Sequence, residues 1–527
     1  MIHVITDTDG LSYDLNAITK EFYPHEEIRV DFCDGEIPPD AADDIGSSGN
    51  EDKEEKVYLI LKGDGKERGI FIGGKNHLKD PAGLPFGIDV KSDKHKVVNL
   101  YYDILSDINE KKLPWGSLTG VRPTKIARML MDEGKSDEEI INYYLKERRV
   151  SVNKAELSVN IASLERKLIE PLSDTKGYSL YIDIPFCPTT CAYCSFTSYP
   201  IKAYEKYKED YLDALFKEME AVRDMIGEKK KAEPAYRLDT VYIGGGTPTS
   251  LEPEDLKRLL NKIEECFEID GVKEFTVEAG RPDSITKDKL NVIKAHPVTR
   301  ISINPQTMND KTLKLIGRNH SVSDFVKAFH LARECGFDNI NTDIILALPE
   351  ESTEDVINTL RGIEGLSPDS LTVHTLAIKR ASRLRMDRLR VDITSESTEE
   401  KTEENSVISN NEVDITLQNM MSEASKAAAN MNMHPYYLYR QKNMSGNLEN
   451  TGFAKEGKYG LYNILIMEEI EDIIALGAGG ISKRLFFENP GDPKGSVRIE
   501  RCENVKDLKS YIERVDEMIE RKRSLFL

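Results

Sequence analysis

The sequence predicts an α/β protein: a partial, TIM-like (β/α)6 barrel between an N-terminal mixed α/β domain and a C-terminal α+β region. Two observations carry this expectation. Between 178 and 378, six short apolar runs alternate with amphipathic stretches of helical period, the pattern of a parallel sheet with right-handed crossovers. Glycine or polar residues cluster at or just after the end of each run, where barrels of this kind keep their chemistry.

The elements follow in order. Residues 1–36 read as short strands and a helix, and 39–56 (PDAADDIGSSGNEDKEEK) as an acidic, flexible loop. VYLILKG (57–63) and GIFIGG (69–74), split by a charged turn, predict a hairpin. Helical patterns near 97–111 and from 122 to about 170 complete an N-terminal accessory domain, 1–175, which holds the single tryptophan, Trp115. The barrel, 176–380, takes its strands from SLYIDIP (179–185), TVYIGGG (240–246), EFTVEAG (274–280), TRISINP (299–305), NINTDIILALP (339–349) and SLTVHTLAI (370–378). Its helices are expected at 202–226, 253–267, 284–295, 322–335 and 353–364. Residues 381–413 read as a flexible acidic linker, and 414–527 as a region that covers the substrate. The charged helix near 505–524 reads as a solvated face.

Composition narrows the function classes. A formal charge of −20 over 527 residues argues against nucleic acid or an anionic membrane as the main partner, since both need clustered Lys and Arg. The start, MIHVITDTDG, has no basic leader, and no run of about 18 apolar residues occurs, so a cytoplasmic protein is expected. Seven cysteines, an odd number, do not suggest a disulfide framework. Three of them, Cys187, Cys191 and Cys194, fall within eight residues directly after the first run.

The spacing C-x3-C-x2-C puts three thiolates on one short loop. Three thiolates can bind three irons of a [4Fe–4S] cluster and leave the fourth iron open to a small molecule. A structural zinc site needs four ligands, and no fourth Cys or His lies nearby in sequence. After the second run, Gly244, Gly245, Gly246 and Thr247 read either as a tight turn or as a place where backbone approaches a ligand closely.

The loop YIDIPFCPTTCAYCSF resembles the cluster loop of the radical S-adenosylmethionine superfamily. The fuller set, over about 178–378, resembles the oxygen-independent coproporphyrinogen III dehydrogenase (oxidase) family. WGSLTGVRPTK and YLYRQKN look most like its HemZ-type branch. The resemblance implies a [4Fe–4S] cluster on Cys187, Cys191 and Cys194, with S-adenosylmethionine on the open iron. It implies cofactor contacts from Gly244, Gly245, Gly246, Thr247, Glu278, Gln306, Arg318 and Asp343, and softer ones from Tyr181 and Ala377. Tyr193 either packs on the adenine or covers the cluster, and Tyr181 is equally a core aromatic.

Two departures stand out: Phe196 occupies the position of the family's fourth cysteine, and Asp183 that of a strand-one histidine. In YYLYRQKN, Arg440 and Lys442 suit propionates of a tetrapyrrole, with Tyr436, Tyr437 and Tyr439 as ring faces; an edge strand of alternating Tyr and charge fits equally. His374 is assigned no role. The implied reaction is oxidative decarboxylation of two propionates to vinyl groups in haem biosynthesis. A flavodoxin or ferredoxin would donate electrons, and the substrate would be coproporphyrinogen III or haem. The alternatives are a radical haem-modifying methyltransferase and a haem-binding or haem-delivery protein without dehydrogenase activity.

Overall fold

The computed structural model describes residues 2–6, 10–24, 26–32, 57–60, 69–72, 90–172, 176–376, 410–441, 447–487 and 497–527. The expected loop at 39–56 and nearly all of the linker at 381–413 lie outside the described residues. The chain forms two compact units, one of 1–123, 134–159 and 440–448, the other of 124–133, 160–439 and 449–527.

The larger unit is built on one sheet of eleven strands. Its strands are β1 (Gly177–Ile184), β2 (Arg237–Gly245), β3 (Glu274–Glu278), β4 (Arg300–Ser302), β5 (Ile340–Leu346) and β6 (Ser370–Thr375). These are followed by β7 (His434–Tyr439), β8 (Asn450–Ala454), β9 (Asp472–Leu476), β10 (Ile481–Phe487) and β11 (Val497–Glu503). The spatial order is β7-β8-β6-β5-β4-β3-β2-β1-β9-β10-β11. Strands β1 to β6 lie side by side in chain order and pair in parallel, the six-unit partial barrel expected. Among the described residues the sheet continues beyond both ends of this set: β1 pairs in parallel with β9, and β6 pairs antiparallel with β8. Such strands are covered on both faces, so they read as near-continuous apolar runs; seven of the eight residues of β1 are buried.

The crossover helices are α1 (Lys208–Ala232), α2 (Pro253–Cys266), α3 (Lys287–Lys294), α4 (Val322–Glu334) and α5 (Thr353–Leu366). In α2, Leu256, Leu259, Leu260 and Ile263 form one buried stripe at helical spacing. Reciprocal capping boxes, Ser321 with Asp324 and Ser352 with Asp355, fix where α4 and α5 begin. After the barrel come α6 (Asn410–Asn430), α7 (Leu461–Glu468), α8 (Leu508–Glu513) and α9 (Val515–Phe526).

Two C-terminal expectations change, at YYLYRQKN and at the terminal helix. The string YYLYRQKN forms the edge strand β7, but Tyr436 and Tyr437 are buried in an apolar cluster with Ile169, Leu172, Ile464 and Leu465. LGAGGIS is the β9–β10 turn, where Gly477 and Gly479 take positive φ. The terminal helix is no solvated face: Met518, Lys522, Leu525 and Phe526 of α9 are buried.

Lys522 is only 1% exposed because it meets Glu218 of α1, 0% exposed, at 2.7 Å. Glu218 also accepts from Asn504 Nδ2, Tyr511 Oη and the Gly477 backbone N–H, at 2.7–2.8 Å. A buried carboxylate tolerates loss of water only with donors around it, and this one has four.

The smaller unit pairs Ile2–Thr6 in parallel with Ile28–Phe32 and contains the expected hairpin, Val57–Ile60 against Gly69–Ile72. Val4, Leu15, Phe22, Tyr101 and Leu105 form its core. Among the described residues no helix is long and apolar enough to cross a membrane.

Removing one partner of a buried pair strands the other. Lys522→Ala is expected to cost about 3–5 kcal/mol and to speed amide hydrogen exchange across α9. The double variant Glu218→Gln/Lys522→Met should recover part of that loss. Unchanged exchange in Lys522→Ala would remove Glu218 from its place as a structural anchor.

A candidate active site at the strand ends

The alternation of a strand puts residues two apart on one face. Register then aligns these faces across the sheet. Tyr181 of β1 stands opposite Tyr242 of β2, and Asp183 opposite Gly244. Farther along, Glu278 is opposite Ser302, Asp343 opposite Thr372, and Ile345 opposite His374. Gln306, just past β4 with φ +70°, bridges to Ile344 of β5. The sequence-chosen polar residues of five strands therefore gather at the C-terminal ends of the parallel strands.

The cysteine loop hangs from the end of β1. Phe186–Cys187 pairs with Tyr199–Pro200, closing the loop, and Ala192 N–H donates to Ile316 O at 2.9 Å. The Gly-rich turn after β2 grips the same loop: Gly246 N–H donates to Ile184 O at 2.9 Å, and Thr247 N–H to Phe186 O at 2.7 Å. A Cβ on Gly246 would stand 2.6 Å from Phe186 O and 2.8 Å from Ile184 O. Gly245 has φ +96°, and a Cβ there would strike the Asp183 carboxyl. The glycines thus serve close approach rather than a free turn.

Cys187, Cys191 and Cys194 are free thiols. Among the described residues no group of three Cys, His, Asp or Glu side chains is gathered as for a single metal ion. Cys187 Sγ lies 3.4 Å from Thr247 Oγ1, and burial pushes its thiol up to about 12. Ser198 Oγ approaches Cys194 Sγ at 3.9 Å.

Beside the loop, Tyr193 packs on Leu313, Ile316, Ile345 and Leu376. Burial alone would lower the Arg318 value, but Tyr193 and Cys191 outweigh it and hold it above the guanidinium norm. Arg318 donates to the Asn304 and Gly280 carbonyls.

The carboxyls differ by environment. Burial, and then the charge of Glu278, pushes Asp183 well up. Burial raises Glu278 to about 7 against the hydrogen bond it accepts from Tyr242 Oη. Asp343 is held below the usual range, because burial is outweighed by His374, 3.8 Å away, and by Asn341, 2.7 Å away. Tyr181, Tyr242 and Tyr462 form a pile of near-parallel rings with centroids 4.6–6.3 Å apart. Within this assembly Asp183 Oδ1, Gln306 Oε1 and Arg318 Nε are buried without a hydrogen-bond partner. Buried polar atoms are rarely left so, and three at one face suit a polar ligand.

Ala377 and Lys442 lie outside the described residues. Arg440 is 7% exposed and turned inward within the smaller unit, donating to Leu118 O with its guanidinium 5.8 Å from the Trp115 ring. Sequence reasoning gave no role to Tyr242, Arg281 or Tyr462. The first two carried a signal, standing on or just past a strand end beside a chosen residue; Tyr462, on α7, carried none.

The Radical SAM superfamily profile matches residues 181–363. The oxygen-independent coproporphyrinogen-III oxidase-like protein HemZ of Bacillus subtilis is 34% identical over 97% of both chains. The heme chaperone HemW of Bacillus subtilis is 36% identical over 38% of this chain and 51% of its own length. The oxygen-independent coproporphyrinogen III oxidase of Escherichia coli is 31% identical over 38% of this chain and 42% of its own. With likeness along nearly its whole length, barrel and flanks together, the chain belongs to the HemZ-type family of oxygen-independent coproporphyrinogen III oxidase-like proteins, radical S-adenosylmethionine enzymes that use a [4Fe–4S] cluster.

Proposed function

We propose that this protein is an oxygen-independent coproporphyrinogen III dehydrogenase-like enzyme, converting two propionate side chains to vinyl groups with loss of carbon dioxide. The observation that carries the radical chemistry is the row of polar side chains at the strand ends, three of them with orphaned atoms, beside three free thiols. The substrate rests on likeness to HemZ.

In this reading Cys187, Cys191 and Cys194 hold the cluster. Glu278 and the backbone of Gly244, Gly245 and Gly246 receive the amino group of S-adenosylmethionine. Arg318 pairs with its carboxylate, and Gln306 and Asp343 take ribose hydroxyls. Thr247 steadies Cys187, Tyr181 and Tyr193 line the pocket, and Ala377 follows the sixth strand. When bound, the cluster and S-adenosylmethionine supply hydrogen-atom abstraction. The protein's part is to orient and to exclude water, for which the buried aromatic pile is suited. Arg440 and Lys442 form no part of this proposal.

A second reading, a haem-binding or haem-delivery protein, is favoured by the HemW likeness and by Phe196, which is 69% exposed at the position of the family's fourth cysteine.

Three outcomes are expected. Cys191→Ala, reconstituted with iron and sulfide, should lose cluster absorbance and most of its iron; full retention would remove Cys191 as a ligand. Next, an ammonium pairs with an ionised carboxylate, and Glu278 stands near 7 in the cofactor-free protein. S-adenosylmethionine affinity should therefore be full above that pH and fall by up to about tenfold per unit below it. In Glu278→Gln the slope should vanish; equilibrium dialysis one unit either side of 7 measures it, and a flat wild-type profile contradicts the assignment. Finally, anaerobic assay with S-adenosylmethionine, reductant and coproporphyrinogen III should give 5′-deoxyadenosine and a product lighter by two formic acid equivalents. 5′-Deoxyadenosine with untouched porphyrinogen would redirect the search to haem.

A further inference from the structure

The three thiols of the loop do not share one environment. Cys187 meets a hydroxyl, Thr247 Oγ1 at 3.4 Å, and Cys194 a hydroxyl, Ser198 Oγ at 3.9 Å. Cys191 meets guanidiniums instead: Arg281 Nη1 approaches its Sγ at 3.6 Å, and Arg318 bonds to it as well. Arg281 stands just past β3, three residues after Glu278, and is 2% exposed.

Its other bonds hold it there. Nη1 also donates to Thr189 O at 2.8 Å and Nη2 to Thr189 Oγ1 at 3.0 Å, so the guanidinium spans the loop two residues before the thiol. Asp283 takes the remaining edge, from Nε at 3.0 Å and Nη2 at 2.9 Å. This fork geometry is one an ammonium cannot copy. His320, 4.0 Å from Asp283 and 4% exposed, is pushed down to about 4 by burial and by Arg318, so it brings no charge of its own at neutral pH.

We propose that Arg281 is a positioning residue that sets the reduction potential of the cluster through the Cys191 sulfur, with Asp283 as its counterweight. This rests on the reading that the three cysteines hold the cluster. One-electron reduction adds negative charge to the cluster and its thiolates. A buried cation donating to one sulfur stabilises the reduced form and raises the potential, because hydrogen bonds to the sulfurs and nearby charge are the protein's levers on such centres. Asp283 opposes this in part, so the two residues act with opposite signs.

The test is a mediated dithionite titration of the reconstituted full chain, followed by electron paramagnetic resonance, with iron content measured in parallel. Arg281→Gln should become harder to reduce by at least tenfold in the equilibrium constant, a downward shift of about 59 mV for one electron. Arg281→Lys should fall between that and wild type. Asp283→Asn should shift upward. An unchanged potential in Arg281→Gln that keeps its cluster overturns the proposal, as does a downward shift in Asp283→Asn. Loss of the cluster from both Arg281 variants in folded protein would assign Arg281 a holding role and overturn the tuning. A wild-type chain that takes up no cluster would instead sink the cluster reading itself, and the inference with it.

Discussion

Two backbone hydrogen bonds, Gly246 N–H to Ile184 O and Thr247 N–H to Phe186 O, carry the rest of the site. They fasten the cysteine loop to the turn after the neighbouring strand, and they need a chain without side chains at that spot. A Cβ on Gly246 would sit against both acceptor carbonyls. From this junction the geometry propagates: Thr247 reaches Cys187, Gly245 leaves room for Asp183, and the loop's far side meets Ile316 and Gly317. Through that last contact the segment bearing Arg318 is placed. A local backbone constraint thus positions groups from β1, β2 and the chain beyond β4.

Buried polar groups in this protein divide by whether their partners are present. Glu218 has four donors within 2.8 Å and ties α1 to the β9–β10 turn, β11, α8 and α9. It is architecture, complete as it stands. Asp183, Gln306 and Arg318 are also buried, but each keeps an atom without a partner. Desolvation without compensation is costly, and three such atoms meet at the face that the glycines and cysteines also line. Among the buried carboxyls, Asp343 has His374 and Asn341 and stays low, whereas burial lifts Glu278, with the charge of Asp343 adding to it, and lifts Asp183, with the charge of Glu278 adding to it.

The barrel was legible because burial on both faces writes each strand as an apolar run. SLYIDIP, TVYIGGG and SLTVHTLAI each begin within three residues of β1, β2 and β6. The helices of the barrel were legible from their period. What sequence did not disclose was non-local. The strand DIIAL (472–476) is too short to announce itself, yet it pairs with β1 across the chain. Lys522 looks like solvent-facing charge in a charged helix, and only the distant Glu218 makes it a buried one. YYLYRQKN had the residues of a propionate site, but Tyr436 and Tyr437 are spent on the core and Arg440 on Leu118 and Trp115. Arg281 was legible only as a neighbour of Glu278; its aim at Cys191 depends on how the loop returns.

The pairing of β9 with β1 has a consequence for how the protein is made. About 290 residues separate Ile184 from Asp472. At roughly 5–20 residues per second on the ribosome, β1 waits on the order of 15–60 s for its second parallel neighbour. Throughout that interval the strand that bears the cysteine loop has an open edge, and the Gly477 turn that later covers Asp183 has not been synthesised. The order of synthesis therefore leaves the second edge of the first strand to be completed last, when β9 and the chain after it have been made.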